Sequence, residues 1–453
     1  MHEISRVKTI LLFGAGKSAT VLINFLLQQC ETHSWKLIVA DVREDLILLK
    51  TKGHPLSQAV AMDIQDDPLR AAWIQKSDIV ISMMPPALHI LIARHCIQYK
   101  KSLLTASYVD DAIRAMQQDV QDAGILFLCE MGLDPGIDHM SAMQVIDRLK
   151  NQQAIITSFK SHCGGLIAPE SDNNPWHYKI SWNPRNVVLA GKSGALYLNK
   201  HQVIQEPYEQ LFNAQRIVQA EGIEYAYYPN RNSIPYIDLY KLQDTETFFR
   251  TTLRHPDFMR GWQKIVQLKL TDEHIRYETD SLTPAAFFKQ HLQQPDLQHA
   301  DTKDILEQFH SSDHGVFARQ MQYLGWDDDT TPIQIGKASA ADVMQWLLEK
   351  RLVLQPHDKD RIVMLHEIEY SLNNVQHLIQ CSLVVDGDDA SSTAMAKTVG
   401  LPLGIATVLI LNDSLPFTGV HVPVLPEMYN PVLKSLESHG IRFNETHVVL
   451  SGH

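Results

Sequence analysis

The sequence predicts an α/β protein whose N-terminal part is a doubly wound parallel sheet. Three observations carry this. Short apolar runs alternate with helical patterns from Thr9 to Glu130, the turn GAGKSA lies between the first run and the first helix, and Asp41 closes the second run. Strand, helix, strand at this rhythm means βαβ units with both sheet faces covered.

The elements follow in order. KTILLFGAG reads as a buried strand, with apolar residues from Ile10 to Phe13 and Ala15 around a turn-forming glycine. SATVLINFLLQQC is the first helix, WKLIVAD at 35–41 the next strand, and EDLILLKTK a helical segment. AVAMD, SDIVISMMP and KSLLTAS add strands, with the helix LHILIARHCIQ before the last, and GILFLCE at 124–130 closes the series. After about 135, ITSFKSHCGG suggests a strand entering the long polar loop IAPESDNNPWHYKISWNPRN, a loop length that is commonly functional. Helical patterns fill 255–355, RIVMLHEIEYSL and HLIQCSLVV read as paired strands, and SSTAMAKTVGLPLGIATVLIL reads as a last helix returning to cover the first domain.

At 453 residues, two or three domains are expected. No stretch is read as the roughly 20 apolar residues that cross a bilayer. The N-terminus lacks the apolar core of a signal peptide, so a cytoplasmic protein without a membrane partner is expected. A net charge of −12 disfavours nucleic acid as a partner, although local arginines can still hold a small anion. The five cysteines are widely spaced and read as reduced thiols, and the 22 scattered histidines include no HExxH, so no metal is expected.

Gly14, Gly16 and Ala19 form a GxGxxA series between a strand and a helix. Gly14 permits the tight turn, Gly16 the approach of a pyrophosphate, and a small residue at 19 close helix–strand packing. The helix N-terminus offers unpaired N–H groups to phosphates. A turn of purely structural use is the bland alternative, but the context needed for a Rossmann dinucleotide site is present on both sides. Asp41 can accept hydrogen bonds from the adenosine ribose, which favours NAD, or it can simply cap the next helix. Arg43 keeps NADP open, because a guanidinium can pair with a 2′-phosphate.

TASYV at 105–109, EMGLDPGIDHM at 130–140, CGGLIAPESDNNPWHYKISW at 163–182, YPNRNS at 228–233, TLR at 252–254 and AMAKTVGLP at 394–402 resemble glutamate-forming saccharopine dehydrogenases, in the family's order. The resemblance implies a Rossmann domain over 1–134 completed by 390–453. It implies a second, substrate-binding α/β domain over 135–255 and 356–389, with a helical insertion at 256–355. It further implies NAD(P)-linked cleavage of saccharopine to glutamate and 2-aminoadipate 6-semialdehyde, in either direction. A homodimer is expected.

Carried over residue by residue, cofactor contacts fall on Gly14, Ala15, Gly16, Lys17, Ser18, Asp41, Asp63, Met84, Ala106, Ser107, Leu133, Asp134, Pro135 and Ser181. Substrate contacts fall on Ser107, Tyr108, Asp134, Arg231, Thr252, Leu253 and Arg254. This chain has Asp41-Val42 where fungal members carry an arginine, Asn183 for a usual serine, and YPNRNS for YPNRDS.

The chemistry fits these residue types. Arg231 and Arg254 can hold carboxylates bidentately, although an arginine picked at random is more often a structural ion pair. Oxidation of a secondary amine and hydrolysis of the imine each move protons. Asp134, at the carboxyl edge of the sheet, is the first candidate for that, Tyr108 a hydrogen-bond donor, and Cys163 a third candidate or a small buried residue. His139 and His162 can titrate near neutrality but are more often packed. Carboxynorspermidine dehydrogenase, or another imine-forming reductase, is the neighbouring enzyme reading. A non-catalytic dinucleotide sensor would keep the turn without needing Arg231, Arg254 or Asp134.

Overall fold

The computed structural model describes residues 6–297 and 315–450, and the part of the expected helical insertion at 298–314 lies outside them. The chain divides into two units, the first running to Gln153 and resuming over Ser391–Phe443, the second comprising Ala154–Ala390 and the strand Asn444–Leu450.

The first unit is built on a seven-stranded sheet of β1 (Thr9–Phe13), β2 (Lys36–Asp41), β3 (Ser57–Ala61), β4 (Ile79–Ser82), β5 (Ser102–Thr105), β6 (Leu126–Leu128) and a last strand, Gly419–His421. The order is Gly419–His421, β6, β5, β4, β1, β2, β3, and every pairing is parallel. Residues 10–13 are buried throughout, as a strand covered on both faces requires. The chain winds outward from β1 to β3 and then crosses to β4 on the other side of β1. That reversal opens a crevice at the carboxyl ends of β1 and β4, where such sheets bind ligands.

Helices α1 (Ala19–His33), α2 (Glu44–Thr51), α3 (Asp67–Lys76) and α4 (His89–Tyr99) connect the early strands. The apolar segment near the C-terminus is the helix Ala394–Leu411, which packs on α1. Its 18 residues have a mean hydropathy of 1.8, enough by length and composition for a membrane span, but 67% of it is buried inside the protein. It is a core helix, and its glycines let α1 approach closely: a Cβ on Gly400 would sit 2.9 Å from the Leu22 nitrogen.

The second unit is built on a ten-stranded mixed sheet. Its strands are β7 (Ile155–Ile167), β8 (Ala195–Asn199), β9 (Gln202–Glu206), β10 (Ile217–Ala220), β11 (Ile223–Pro229), β12 (Arg231–Asn232), β13 (Thr247–Arg254), β16 (Asp360–Leu372), β17 (Val375–Asp386) and Asn444–Leu450. The short pair β14 (Arg276–Glu278) and β15 (Lys337–Ser339) stands apart. β16 and β17 are the expected paired strands. Their two-residue link, Asn373-Asn374, holds φ of 52° and 63°, the left-handed pair that a tight hairpin turn needs and that asparagine tolerates.

The polar loop after β7 is anchored rather than surface-borne. Its Trp176 and Tyr178 are buried in one core with Phe258, Trp262, Met321 and Leu347, from the helices Pro256–Gln267, Val316–Leu324 and Ala340–Arg351. Alternating polar residues hid this, because the buried side chains belong to one segment and their partners lie far along the chain.

Two boundaries differ from the sequence reading. The helix Ile137–Asn151 belongs to the first unit, where Asp147 accepts from the Tyr429 hydroxyl at 2.7 Å. The strand Asn444–Leu450 leaves that unit and pairs with β17.

Candidate active site

In the first unit, β1 ends at Phe13 and Gly14 turns the chain with φ +98°, its amide donating to the Ala40 carbonyl at 2.8 Å. A Cβ on Gly14 would crowd the Met83 carbonyl at 3.1 Å, whereas nothing lies within 4 Å of one on Gly16. The first glycine therefore serves the turn and the second keeps open space above it. The Asp41 carboxylate ties the turn down, accepting from the Ala15 amide at 2.7 Å and the Arg43 amide at 3.0 Å.

A groove of about 250 Å³ runs along this edge, lined by Gly14, Gly16, Asp41, Val42, Met62, Met83 and Met84 among others. A glycine cradle, a helix N-terminus and a carboxylate at the end of β2 fit a dinucleotide. Of the predicted cofactor contacts, Gly14, Gly16, Asp41 and Met84 line it, whereas Ala15, Lys17, Ser18 and Asp63, from the same part of the chain, do not. Asp63 is exposed, with its carboxylate on the Gln65 amide at 2.9 Å, while its neighbours Met62 and Ile64 face the groove.

Sequence reasoning missed Lys50. Its side chain is half-buried and its Nζ donates to the Gly16 carbonyl. Burial pushes this amine down to about 8, against the pull of Asp41. Nothing in α2's pattern distinguishes it from a solvated lysine.

Farther along the same sheet edge, Ala106 to Val109 follow β5, and Glu130 to Gly136 follow β6. The Tyr108 hydroxyl donates to Asp134 Oδ1 at 3.1 Å. Buried Glu130 holds the neighbouring chain in place: Oε1 accepts from the Val109 amide at 3.0 Å and Oε2 lies 2.8 Å from His139 Nε2. His139 is thus a packed histidine, the commoner of its two readings. The Asp134–Pro135 peptide is cis. A Cβ on Gly136, which has φ +147°, would meet the Gly132 carbonyl oxygen at 2.1 Å, so only glycine fits the fold-back that presents Leu133, Asp134 and Pro135.

His89 is another missed residue. Its ring links the strand ends, with Nδ1 2.8 Å from Ser82 Oγ and Nε2 2.8 Å from Ser107 Oγ and 3.2 Å from Thr105 Oγ1. Burial pushes it down to about 4, so it works as a neutral hydrogen-bonding ring that orients Ser107.

The remaining candidates lie in the second unit. Thr252, Leu253 and Arg254 end β13, and Cys163 sits beside Thr252 on β7, buried. Leu253 packs so closely on β7 that a Cβ on Gly164 would lie 2.7 Å from its carbonyl oxygen. Arg254 is buried, 5.3 Å from the Tyr178 ring centroid and 5.6 Å from that of Phe258, with Nη1 on the Leu253 carbonyl at 2.8 Å. Arg231 is exposed in β12 with φ +54°. Ser181 is buried in this unit, whereas the glycine turn belongs to the first. His162 packs between Thr251 Oγ1 at 2.7 Å and Glu367 Oε2 at 3.2 Å. His177, His255 and Asp257 gather within 4.8 Å, but the two rings stack at 3.8 Å and His255 Nδ1 accepts from the Asp257 amide.

Fold and groove together define an α/β protein of the nicotinamide-dinucleotide-binding class. The family defined by the saccharopine dehydrogenase NADP binding domain matches residues 10–128, and that of the saccharopine dehydrogenase C-terminal domain matches 132–441. The chain belongs to the saccharopine dehydrogenase family. Saccharopine dehydrogenase [NADP(+), L-glutamate-forming] of Saccharomyces cerevisiae is 29% identical, over 97% of this chain and 99% of its own length. Mitochondrial alpha-aminoadipic semialdehyde synthase of Rattus norvegicus is 31% identical over 98% of this chain. The chain spans 45–48% of the plant and animal synthases it matches. The apo structure of the histidine-tagged, L-Glu-forming S. cerevisiae enzyme superposes with a TM-score of 0.83 at 27% identity, covering 97% of this chain and all of that one.

Proposed function

We propose that this chain is a saccharopine dehydrogenase, interconverting saccharopine, oxidised nicotinamide cofactor and water with L-glutamate, 2-aminoadipate 6-semialdehyde and reduced cofactor. The observation that carries the reading is the hydrogen-bonded Tyr108–Asp134 pair on the carboxyl edge of the dinucleotide sheet, within segments shared with the family. The groove of Gly14, Gly16 and Asp41 would hold the cofactor, which would supply the acceptor for a hydride from the CH–NH carbon. Water then adds to that carbon and the glutamate amine departs, steps that release and return protons.

Asp134 is the proposed proton carrier, Tyr108 its hydrogen-bonding partner, and Cys163 a further candidate. Gly14, Ala15, Gly16, Lys17, Ser18, Asp41, Asp63, Met84, Ala106, Ser107, Leu133, Pro135 and Ser181 are the proposed cofactor contacts. Arg231 and Arg254 are proposed for the substrate carboxylates, with Ser107, Thr252 and Leu253 beside the substrate. Burial suits Arg254 to a desolvated bidentate pair.

The Asp41 carboxylate in the groove supports NAD, whereas the S. cerevisiae relative is named as an NADP enzyme and the matched domain as NADP binding. The same reading carries a homodimer in the cytoplasm, to be measured by light scattering and by cell fractionation.

The test is absorbance at the nicotinamide band with saccharopine and either cofactor. Reduction of NAD or NADP by the wild-type chain is expected. Asp134→Asn should lower turnover by about 100-fold, the scale of general acid–base catalysis. Full turnover in that variant would remove Asp134 from the chemistry. Silence with both cofactors, in a chain that binds NADH, would transfer the assignment to another imine-forming reductase.

A further inference from the structure

We propose that Lys50 is the cation that lets the cofactor groove accept a 2′-phosphate beside Asp41, and that it thereby sets the balance between NADP and NAD. The inference deepens the cofactor reading above and rests on it.

The groove poses an electrostatic problem. Asp41 stands where the hydroxyls of an adenosine ribose are met, and two amides hold its carboxylate there, those of Ala15 and Arg43. A phosphate on that ribose brings further negative charge next to a fixed carboxylate. Without a compensating cation such a site rejects it.

Arg43 and Lys50 both feel the charge of Asp41. Arg43 follows β2 directly, but its guanidinium is occupied: Nε and Nη2 grip Asp45 at 2.9 and 2.5 Å, and the side chain is 60% exposed. Its charge is both paired and screened by water.

Lys50 is placed differently. It lies in the last turn of α2, and helical side chains lean toward the N-terminus of their helix, so its stem runs up toward the carboxyl edge of the sheet. There Nζ meets the Gly16 carbonyl, in the phosphate-binding turn itself. Among the described residues it makes no salt bridge to a carboxylate. The amine is desolvated and feels Asp41 as its main favourable charge, so its positive charge is under-compensated. A phosphate oxygen is a stronger acceptor than a peptide carbonyl and would supply the missing counter-charge. The groove thus holds a carboxylate for the ribose of NAD, and beside it, on the Gly16 carbonyl, stands a displaceable cation for the phosphate of NADP.

The experiment is equilibrium titration of the full chain with NADH and with NADPH, followed by nicotinamide fluorescence. The readout is the ratio of the two dissociation constants, NADPH over NADH. In Lys50→Met the ratio should rise by at least about tenfold, and in Lys50→Arg, which keeps the cation, it should stay within about threefold of wild type. A Lys50→Met ratio within about twofold of wild type overturns the proposal, and a rise in Arg43→Met instead moves the role to Arg43. A wild-type chain that binds neither cofactor removes the cofactor reading and this one with it. A chain that binds both and shifts its ratio as expected, yet leaves saccharopine untouched, supports Lys50 and removes only the substrate reading.

Discussion

His89 shows how a residue without a motif can organise a site. Its two ring nitrogens join Ser82 at the end of β4 to Ser107 after β5, and burial holds the ring neutral with a value near 4. Because the folded value lies below the unfolded one of about 6.5, this group stabilises the fold fully above the unfolded value, and its contribution is lost as pH falls from about 6.5 toward 4. The size is about 3 kcal/mol. Melting curves between neutral pH and about pH 4.5 should therefore drop more steeply for the wild-type chain than for His89→Asn. Parallel slopes would mean that His89 is not the group titrating. The two arginines carry a related lesson. They look alike in YPNRNS and TLR, yet Arg254 is buried against two aromatic faces and Arg231 is exposed. Sequence gives the residue type, whereas burial, which decides how strongly a guanidinium grips a carboxylate, comes from partners elsewhere in the chain.

Among the elements, the pairing of α1 with the helix Ala394–Leu411 is set by small residues. Gly400 lies under the α1 backbone, where a Cβ would need space occupied by the Leu22 nitrogen at 2.9 Å. Alanine is the better helix former by roughly 1 kcal/mol. Overpacking against backbone, which cannot rotate away, costs about 1–3 kcal/mol. Gly400→Ala should therefore destabilise the first unit on balance, visible as a lower denaturation midpoint with unchanged m-value. A raised midpoint would show that the helices can move apart. Strand periodicity, the β16–β17 hairpin and this apolar helix were all legible in sequence. The strands β8 to β12 were not. Most are short and their burial is uneven; β8 and β11 anchor on β13, itself paired to β7 far upstream, and β9, β10 and β12 pair only with those two.

At the scale of the molecule, the chain passes between its units near 153, 390 and 443, so neither unit is one continuous segment. The last passage has a structural consequence. Asn444–Leu450 forms the outer edge of the second sheet, paired residue for residue with Gln376–Ser382 of β17. Ending the chain at Phe443 would strip that cover and leave the edge of β17 unpaired, an invitation to association between chains. The shortened chain should scatter light at a lower temperature than the full one, while NADH binding by the first unit stays within about threefold. Unchanged scattering would show that β17 does not need its neighbour.

By itself, the sequence determined the parallel nucleotide-binding sheet, the glycine turn and the family, because each is written in local periodicity or in a short contiguous motif. Which histidines are locked, which arginine is buried, where Lys50 points and which sheet takes the C-terminal strand were decided only by tertiary structure. Burial, pKa and strand pairing depend on neighbours brought from distant positions, and no local pattern encodes them.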